Sequence, residues 1–347
     1  MQQKVKFKQL LSYIFILLCW VGCVKSVPYC AITGKTMGTT YSIKCQSIIN
    51  PQILKFKVDS LLAEINQSVS AYIPSSTISQ VNKATTNEIS NIILEDVFID
   101  NFNLSKQLYT KTAGAFNPAL APLISYWGFG YKNLTQKNVD TNLVQQLITR
   151  CNFDDFELHN KRIIKKQNEQ HLDFNAVAKG YGVDKVAELL HIEGITNFMV
   201  EIGGEIRASG KNAAQQPWTI AIDKPEKNLN NRSFNAILKL DNQSVATSGN
   251  YRNYRKIGDK QYGHIINPFT GFPQQTNIIS ASIIAKNCAE ADAYATACMV
   301  LGFQKAKALV AQNNNLKAYF IYKDENGAVL TFSSKGLLIH ELNLRKN

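Results

Sequence analysis

A carboxylate and a hydroxyl four residues apart, Asp292 and Thr296, sit in the run Ala-Asp-Ala-Tyr-Ala-Thr-Ala. On a helix that spacing puts both on one face. Two oxygen donors suit a hard cation such as Mg²⁺, which takes few protein ligands and completes its shell with phosphate and water. The pair also has plainer uses: an Asp early in a helix complements the helix dipole, and a Thr can bond back into its own helix. Spacing alone leaves both readings open.

A second candidate runs from His171 through Asp173, Ala176, Lys179, Gly180 and Gly182 to Asp184. It reads as a short strand, a turn and a helix, with Asp173 at the strand end. Such a turn can present backbone N–H groups to an anion. The Gly spacing fits neither a Walker A loop nor a GxGxxG fingerprint, and an ordinary strand–helix junction remains an alternative. His264, among apolar and turn residues ahead of Asn267-Pro268-Phe269-Thr270-Gly271, is a candidate base near neutral pH or a structural histidine. Tyr72 can stack on a flat ring or fill a core. Gly203-Gly204, between Glu201 and Glu205, would let backbone approach a ligand, or would form a bulge.

These residues need a scaffold. Apolar periodicity predicts helices over 52–66, 92–112, 119–127, 138–149, 180–190, 288–301 and 303–312. A strand pair over 32–45 breaks at Gly38, and hairpins are expected at 156–165 and 317–332. A run of strands spans 197–202, 218–222, 236–240, 244–247, 251–257 and 278–284. Strands in runs and helices in groups indicate an α+β fold rather than alternating βαβ units. No repeat or linker interrupts the chain, so one catalytic domain over 31–345 is expected.

The 347 residues, 45% hydrophobic and 18% charged, suffice for a sizeable core. The net charge of +12 has two readings, attraction of phosphates, anionic lipid or nucleic acid, or simply a set of solvated lysines, and the second is the plainer. No basic run carries interleaved aromatics, so nucleic acid is not an expected partner. Lys4, Lys6 and Lys8 precede an apolar stretch from Leu10 to Trp20, which has the length of a signal peptide rather than a membrane span. Val21-Gly22-Cys23 follows and resembles a bacterial lipobox, with Trp20 where an aliphatic residue is usual. The expectation is a signal peptide over 1–22, a lipidated tether over 23–30 beginning at Cys23, and a membrane-anchored lipoprotein facing the periplasm. An uncleaved anchor and an ordinary signal peptide are the alternatives. Seven cysteines without CxxC spacing make neither a dense disulfide framework nor a zinc site. They allow one bridge, with Cys288 and Cys298 expected to pack as small hydrophobes.

Taken in order, the segments KTMGTTYS (35–42), AYIPSSTISQVN (71–82), GAFNPALAPL with WGFG (114–130), DFNAVAKGYGVD (173–184), VEIGGEIRASG (200–210), ATSGNYRNY (246–254), HIINPFTG (264–271) and ADAYATACMVLG (291–302) resemble the FAD:protein FMN transferase family, also called ApbE or flavin-trafficking proteins. The resemblance implies a T-fold-like α/β sandwich with FAD in a cleft. It implies a reaction in which the FAD pyrophosphate is broken, AMP leaves, and FMN is joined by a phosphoester to a Thr or Ser of a membrane redox subunit or another extracytoplasmic electron carrier.

Residue by residue, Met37, Tyr72, Ala115, Phe116, Asn117, Asp173 and Lys179 match positions that contact the flavin nucleotide. Asn117 stands where the family usually has Asp, which removes a charge. Ala176 matches a position whose carbonyl binds Mg²⁺, and Asp292 and Thr296 match the side-chain ligands. His264 matches a position beside the pyrophosphate and is the candidate base, so that Asp292 and His264 would carry the catalysis. The rival expectations are a Mg²⁺-dependent FAD pyrophosphatase with water as nucleophile, and a non-catalytic flavin-binding lipoprotein.

Overall fold

A computed structural model describes residues 27–130, 138–225, 233–250, 254–257 and 260–342 of the chain. The expected leader and Cys23 lie outside them, as do Tyr251 to Asn253 of the sixth segment. Strands β1 (Tyr29–Thr36) and β2 (Thr39–Gln46) form a tight hairpin. Its turn residues Met37 and Gly38 have φ of 49° and 71°. Two successive positive φ values make the turn that matches strand twist. Helices α1 (Pro51–Val69), α2 (Thr77–Lys83), α3 (Asp96–Lys111), α4 (Ala121–Tyr126) and α5 (Thr141–Ile148) follow. The hairpin β3 (Phe156–His159) and β4 (Arg162–Lys165) leads to α6 (Ala178–Ile192).

Next come β5 (Phe198–Ile202), β6 (Glu205–Ser209), β7 (Trp218–Asp223), β8 (Phe234–Leu240), β9 (Ser244–Gly249), β10 (Tyr254–Ile257), β11 (Lys260–Gly263) and β12 (Ile278–Ala285). The chain closes with α7 (Cys288–Leu301), α8 (Phe303–Ala311), β13 (Lys317–Lys323), β14 (Val329–Ser333) and β15 (Ile339–Glu341).

The main sheet has eight strands in the order β1-β2-β5-β6-β9-β12-β13-β14, every neighbouring pair antiparallel. One face of it packs against helices in a core that includes Ile43, Leu62, Val186, Val200, Ala293 and Phe320. The other face meets the three-stranded sheet β15-β8-β7 through Trp218, Leu238, Val245, Ile284 and Tyr319. Helices, large sheet and small sheet make the α+β sandwich anticipated above. Among the described residues no helix is long and apolar enough to cross a membrane.

Three expectations shift. The helix expected from Ile92 starts at Asp96, because Leu94 is tied to the Lys161 carbonyl and Ile89–Asn91 forms a separate 3-10 turn. The strand expected at Asp173 joins no ladder. Asn82 holds both polar groups of the Leu172 backbone, and Asp173 N donates to the Pro118 carbonyl at 2.7 Å. Gly203 and Gly204 do not bulge a continuous strand but turn β5 into β6, at φ of 61° and 105°.

Candidate functional site

Helix α7 is buried on nearly every side. Its sequence is Ala- and Cys-rich, and small side chains let it pass close to neighbours on all faces. It meets α6 at Gly180, where a Cβ would stand 2.4 Å from the Cys288 carbonyl oxygen. No α7 side chain caps its own N-terminus. Asp184 of α6 does so instead, accepting from the amides of Cys288 and Ala289, both at 3.0 Å. Arg207 of β6 donates to the same carboxylate at 2.7 Å.

This docking fixes the central charges. Asp292, 3% exposed, accepts from the Gly180 amide at 3.2 Å and lies 3.6 Å from the Lys179 ammonium. A continuing helix would direct the Gly180 amide at the Ala176 carbonyl; here it turns to Asp292. Lys179 also lies 3.5 Å from Glu205. Thr296, one turn beyond Asp292, has its hydroxyl 3.4 Å from that of Ser248 on β9. Burial pushes the Glu205 carboxyl up to about 8, against the pull of Lys179, and the carboxylates of Asp292 and Glu205 raise Lys179 despite the opposing effect of burial. Glu205 Oε2 is buried with no hydrogen-bond partner.

These groups line a cavity of about 1180 Å³, also bounded by Ala115, Phe116, Asn117, Asp173, Ala176, Phe129 and His264. Thr112 shapes the first of its loops, its hydroxyl accepting from the Phe116 amide at 3.1 Å. Asn117 Oδ1 accepts from Ala119 N and its Nδ2 donates to the Cys151 carbonyl, both at 2.8 Å. A carboxylate could do only the first, so Asn here serves the loop. Asp173 accepts from the Asn175 amide at 2.7 Å and its side chain at 3.1 Å. Burial raises its carboxyl, and those two bonds and Lys179 oppose the shift. His264 follows β11, with its ring edge-on to Phe129 at 6.3 Å between centroids.

Two expected contacts stand apart from this cavity. Met37, at the β1–β2 turn, lines a smaller hollow with Lys35 to Thr40, and Thr40 borders both spaces. Gly182 makes room for it: a Cβ there would meet Met37 Cε at 2.9 Å. Tyr72 is largely exposed, beside Asp173 and Asn175. Reading the sequence for chemistry missed Glu205 as a site residue and Asp184 as a cap. The available signal for Glu205 was a charge placed directly after a Gly-Gly turn, in a strand otherwise spent on sheet pairing.

Among the described residues no group of three or more His, Cys, Asp or Glu side chains could hold a metal. A cation at Asp292 and Thr296 would need backbone, water or substrate oxygens as well. That is the habit of Mg²⁺, and the oxygen-only donors, the redirected Gly180 amide and the unpartnered Glu205 Oε2 fit it.

The sandwich and the cavity built from these ordered segments define the group of proteins to which the molecule is related. Residues 37–320 match the ApbE family model, and the chain belongs to the ApbE family. It is 35% identical over 317 residues to the FAD:protein FMN transferase of Vibrio cholerae, covering 90% of this chain and 92% of that protein. The FAD:protein FMN transferase of Haemophilus influenzae is 33% identical, over 94% of this chain and 97% of its own. Among solved structures, the flavin transferase ApbE from Vibrio cholerae superposes with a TM-score of 0.79 at 31% identity, over 89% of this chain and 98% of that one.

Proposed function

We propose that this protein transfers FMN from FAD to a Thr or Ser hydroxyl of an acceptor protein, releasing AMP, in a Mg²⁺-dependent reaction. The observation that carries this reading is the gathering of Ala115–Asn117, Asp173, Ala176, Lys179, His264, Asp292 and Thr296 around one cavity, together with membership of a family whose relatives bear that activity in their names.

Asp292, Thr296 and the Ala176 carbonyl would hold the metal, with Asp292 central to catalysis. Bound there, Mg²⁺ supplies Lewis-acid neutralisation of the pyrophosphate. The chain's own residues do the rest. Lys179, kept charged chiefly by Asp292, adds positive charge beside the phosphates. Ala115, Phe116, Asn117 and Asp173 position the nucleotide, and Met37 and Tyr72, which stand apart from that cavity, are assigned the outer contacts with FAD. His264 takes the proton of the acceptor hydroxyl as its oxygen attacks the FMN-side phosphorus. The new P–O bond forms as the anhydride bond breaks, and AMP carries away the bonding pair.

The proposed address is the bacterial cell envelope. Residues 1–22 are a signal peptide, Cys23 is lipidated, 23–30 are the tether, and 31–345 form the transferase domain facing the periplasm, where acceptor redox subunits reside. The test is incubation with FAD, Mg²⁺ and an acceptor domain bearing a candidate Thr, followed by a denaturing gel and chromatography. Flavin fluorescence in the acceptor band with AMP release supports transfer. AMP and free FMN across a panel of acceptors would identify a pyrophosphatase instead. Intact FAD throughout would leave only a binding protein.

A further inference from the structure

Strands β1 and β2 set two cysteines face to face. Cys30 and Cys45 are register partners, and their sulfurs are 3.3 Å apart. Both are free thiols in the structure, and among the described cysteines theirs is the one sulfur–sulfur contact. Counting back in twos from the turn-closing pair Thr36/Thr39, Cys30/Cys45 falls on a hydrogen-bonded position of the ladder. Cα atoms at such positions lie about 5.5 Å apart, inside the range that disulfides span. Closing the sulfur gap therefore takes a side-chain rotation and no slip of strand register.

We propose that Cys30 and Cys45 form a disulfide that staples β1, the edge strand of the main sheet, to β2. The oxidant is a small-molecule or protein disulfide, RSSR, and the balance is two thiols plus RSSR to one protein disulfide plus two RSH. Cys30, the more accessible sulfur, attacks first as thiolate to give a mixed disulfide, and one RS⁻ departs. Cys45 then loses its proton and attacks the Cys30 sulfur, expelling the second RS⁻; the two thiol protons end on the two RSH. Cys45 is fully buried. Burial, with Cys30 alongside, pushes its thiol up to about 12, so Cys45 is not the sulfur that attacks first and reacts only once the mixed disulfide stands beside it.

The staple has a structural consequence. It closes the open end of a hairpin whose other end carries Met37. Edge strands fray first in local opening, and a covalent tie also restricts the unfolded chain. The bond does not depend on the flavin-transfer reading; export would supply the oxidising surroundings in which it persists.

The test equilibrates the purified protein with oxidised or with reduced glutathione, then denatures, alkylates and digests it for mass spectrometry. After oxidation a linked Cys30–Cys45 peptide pair lacking two hydrogens is expected, with Cys151, Cys288 and Cys298 recovered as alkylated thiols. The oxidised protein melts several degrees above the reduced one, and Cys30→Ser, at a partly exposed position, abolishes that difference. Recovery of Cys30 and Cys45 as thiols or as separate glutathione adducts after oxidation would overturn the proposal. So would a bridge between other cysteines, or a Cys30→Ser protein that keeps the full oxidised shift. If that variant does not fold, the wild-type peptide map decides alone.

Discussion

Gly180 and Cys288 touch backbone to backbone: a Cβ on Gly180 would stand 2.4 Å from the Cys288 carbonyl oxygen and 2.6 Å from the Ala289 Cα. The neighbour is backbone, so no side chain can swing aside. This contact sets how near α6 comes to α7, and thereby puts Lys179 beside Asp292. Gly180→Ala should force the helices apart, costing at least the roughly 1–3 kcal/mol typical of overpacking. Thermal melting should show the loss, and flavin transfer should fall more steeply than FAD affinity. An unchanged melting temperature with unchanged transfer would mean that the helices separate freely and that their spacing does not position the site.

Asp292→Asn separates the structural and electrostatic roles of this carboxylate. The amide oxygen can still accept from Gly180 N, so the fold should survive. The charge facing Lys179, and with it the proposed anionic donor for Mg²⁺, is gone. Transfer should drop by more than the roughly 10–100-fold that follows loss of a partner lying outside a metal's own ligands, with partial recovery at high Mg²⁺. A titration of rate against Mg²⁺ reads both effects. Wild-type rates at low Mg²⁺ would remove Asp292 from the metal site.

Much of this was legible from residue pattern. The β3–β4 hairpin and helices α6 and α7 follow from runs of apolar and small residues bounded by turns, which is a local property of sequence. The contacts that assemble the site were not. Asp184 caps a helix more than a hundred residues away, and no spacing rule reaches that far. Asn82 satisfies the Leu172 backbone across a similar gap and replaces the ladder that a strand at Asp173 would have needed. β6, and with it Glu205, was hidden because two glycines before it read equally well as a bulge. Asn117 was visible as a departure from the family pattern, but its reason, the Cys151 carbonyl, appears only in three dimensions.

His264→Ala removes the proposed base while leaving the cavity's other walls in place. FAD should bind with little change, because the role proposed for the ring, which lies edge-on to Phe129 in the cavity wall, is proton transfer and not affinity. Transfer should slow by about 10²–10⁴, the usual contribution of a positioned acid or base. Fluorescence titration with FAD and the rate of acceptor labelling separate the two effects. Turnover at the wild-type rate would exclude His264 from proton transfer.

Glu205 gives the fold a pH dependence that its own variant can isolate. Its carboxyl is raised from an ordinary value of 4.5 to about 8, so between those limits the folded state holds a proton that the unfolded state has released. Stability from this group is fully present below 4.5 and declines as pH rises to about 8. Glu205→Gln has no proton to lose and should escape that decline. Asp173 and Asp184 are also raised by burial, but they are common to both proteins and cancel in the comparison. In the absence of metal and FAD, the melting temperature of Glu205→Gln relative to wild type should therefore climb by several degrees from about pH 5 to about pH 8.5. A difference that stays constant over that range would show that Glu205 is ionised throughout, and that Lys179 outweighs burial at this site.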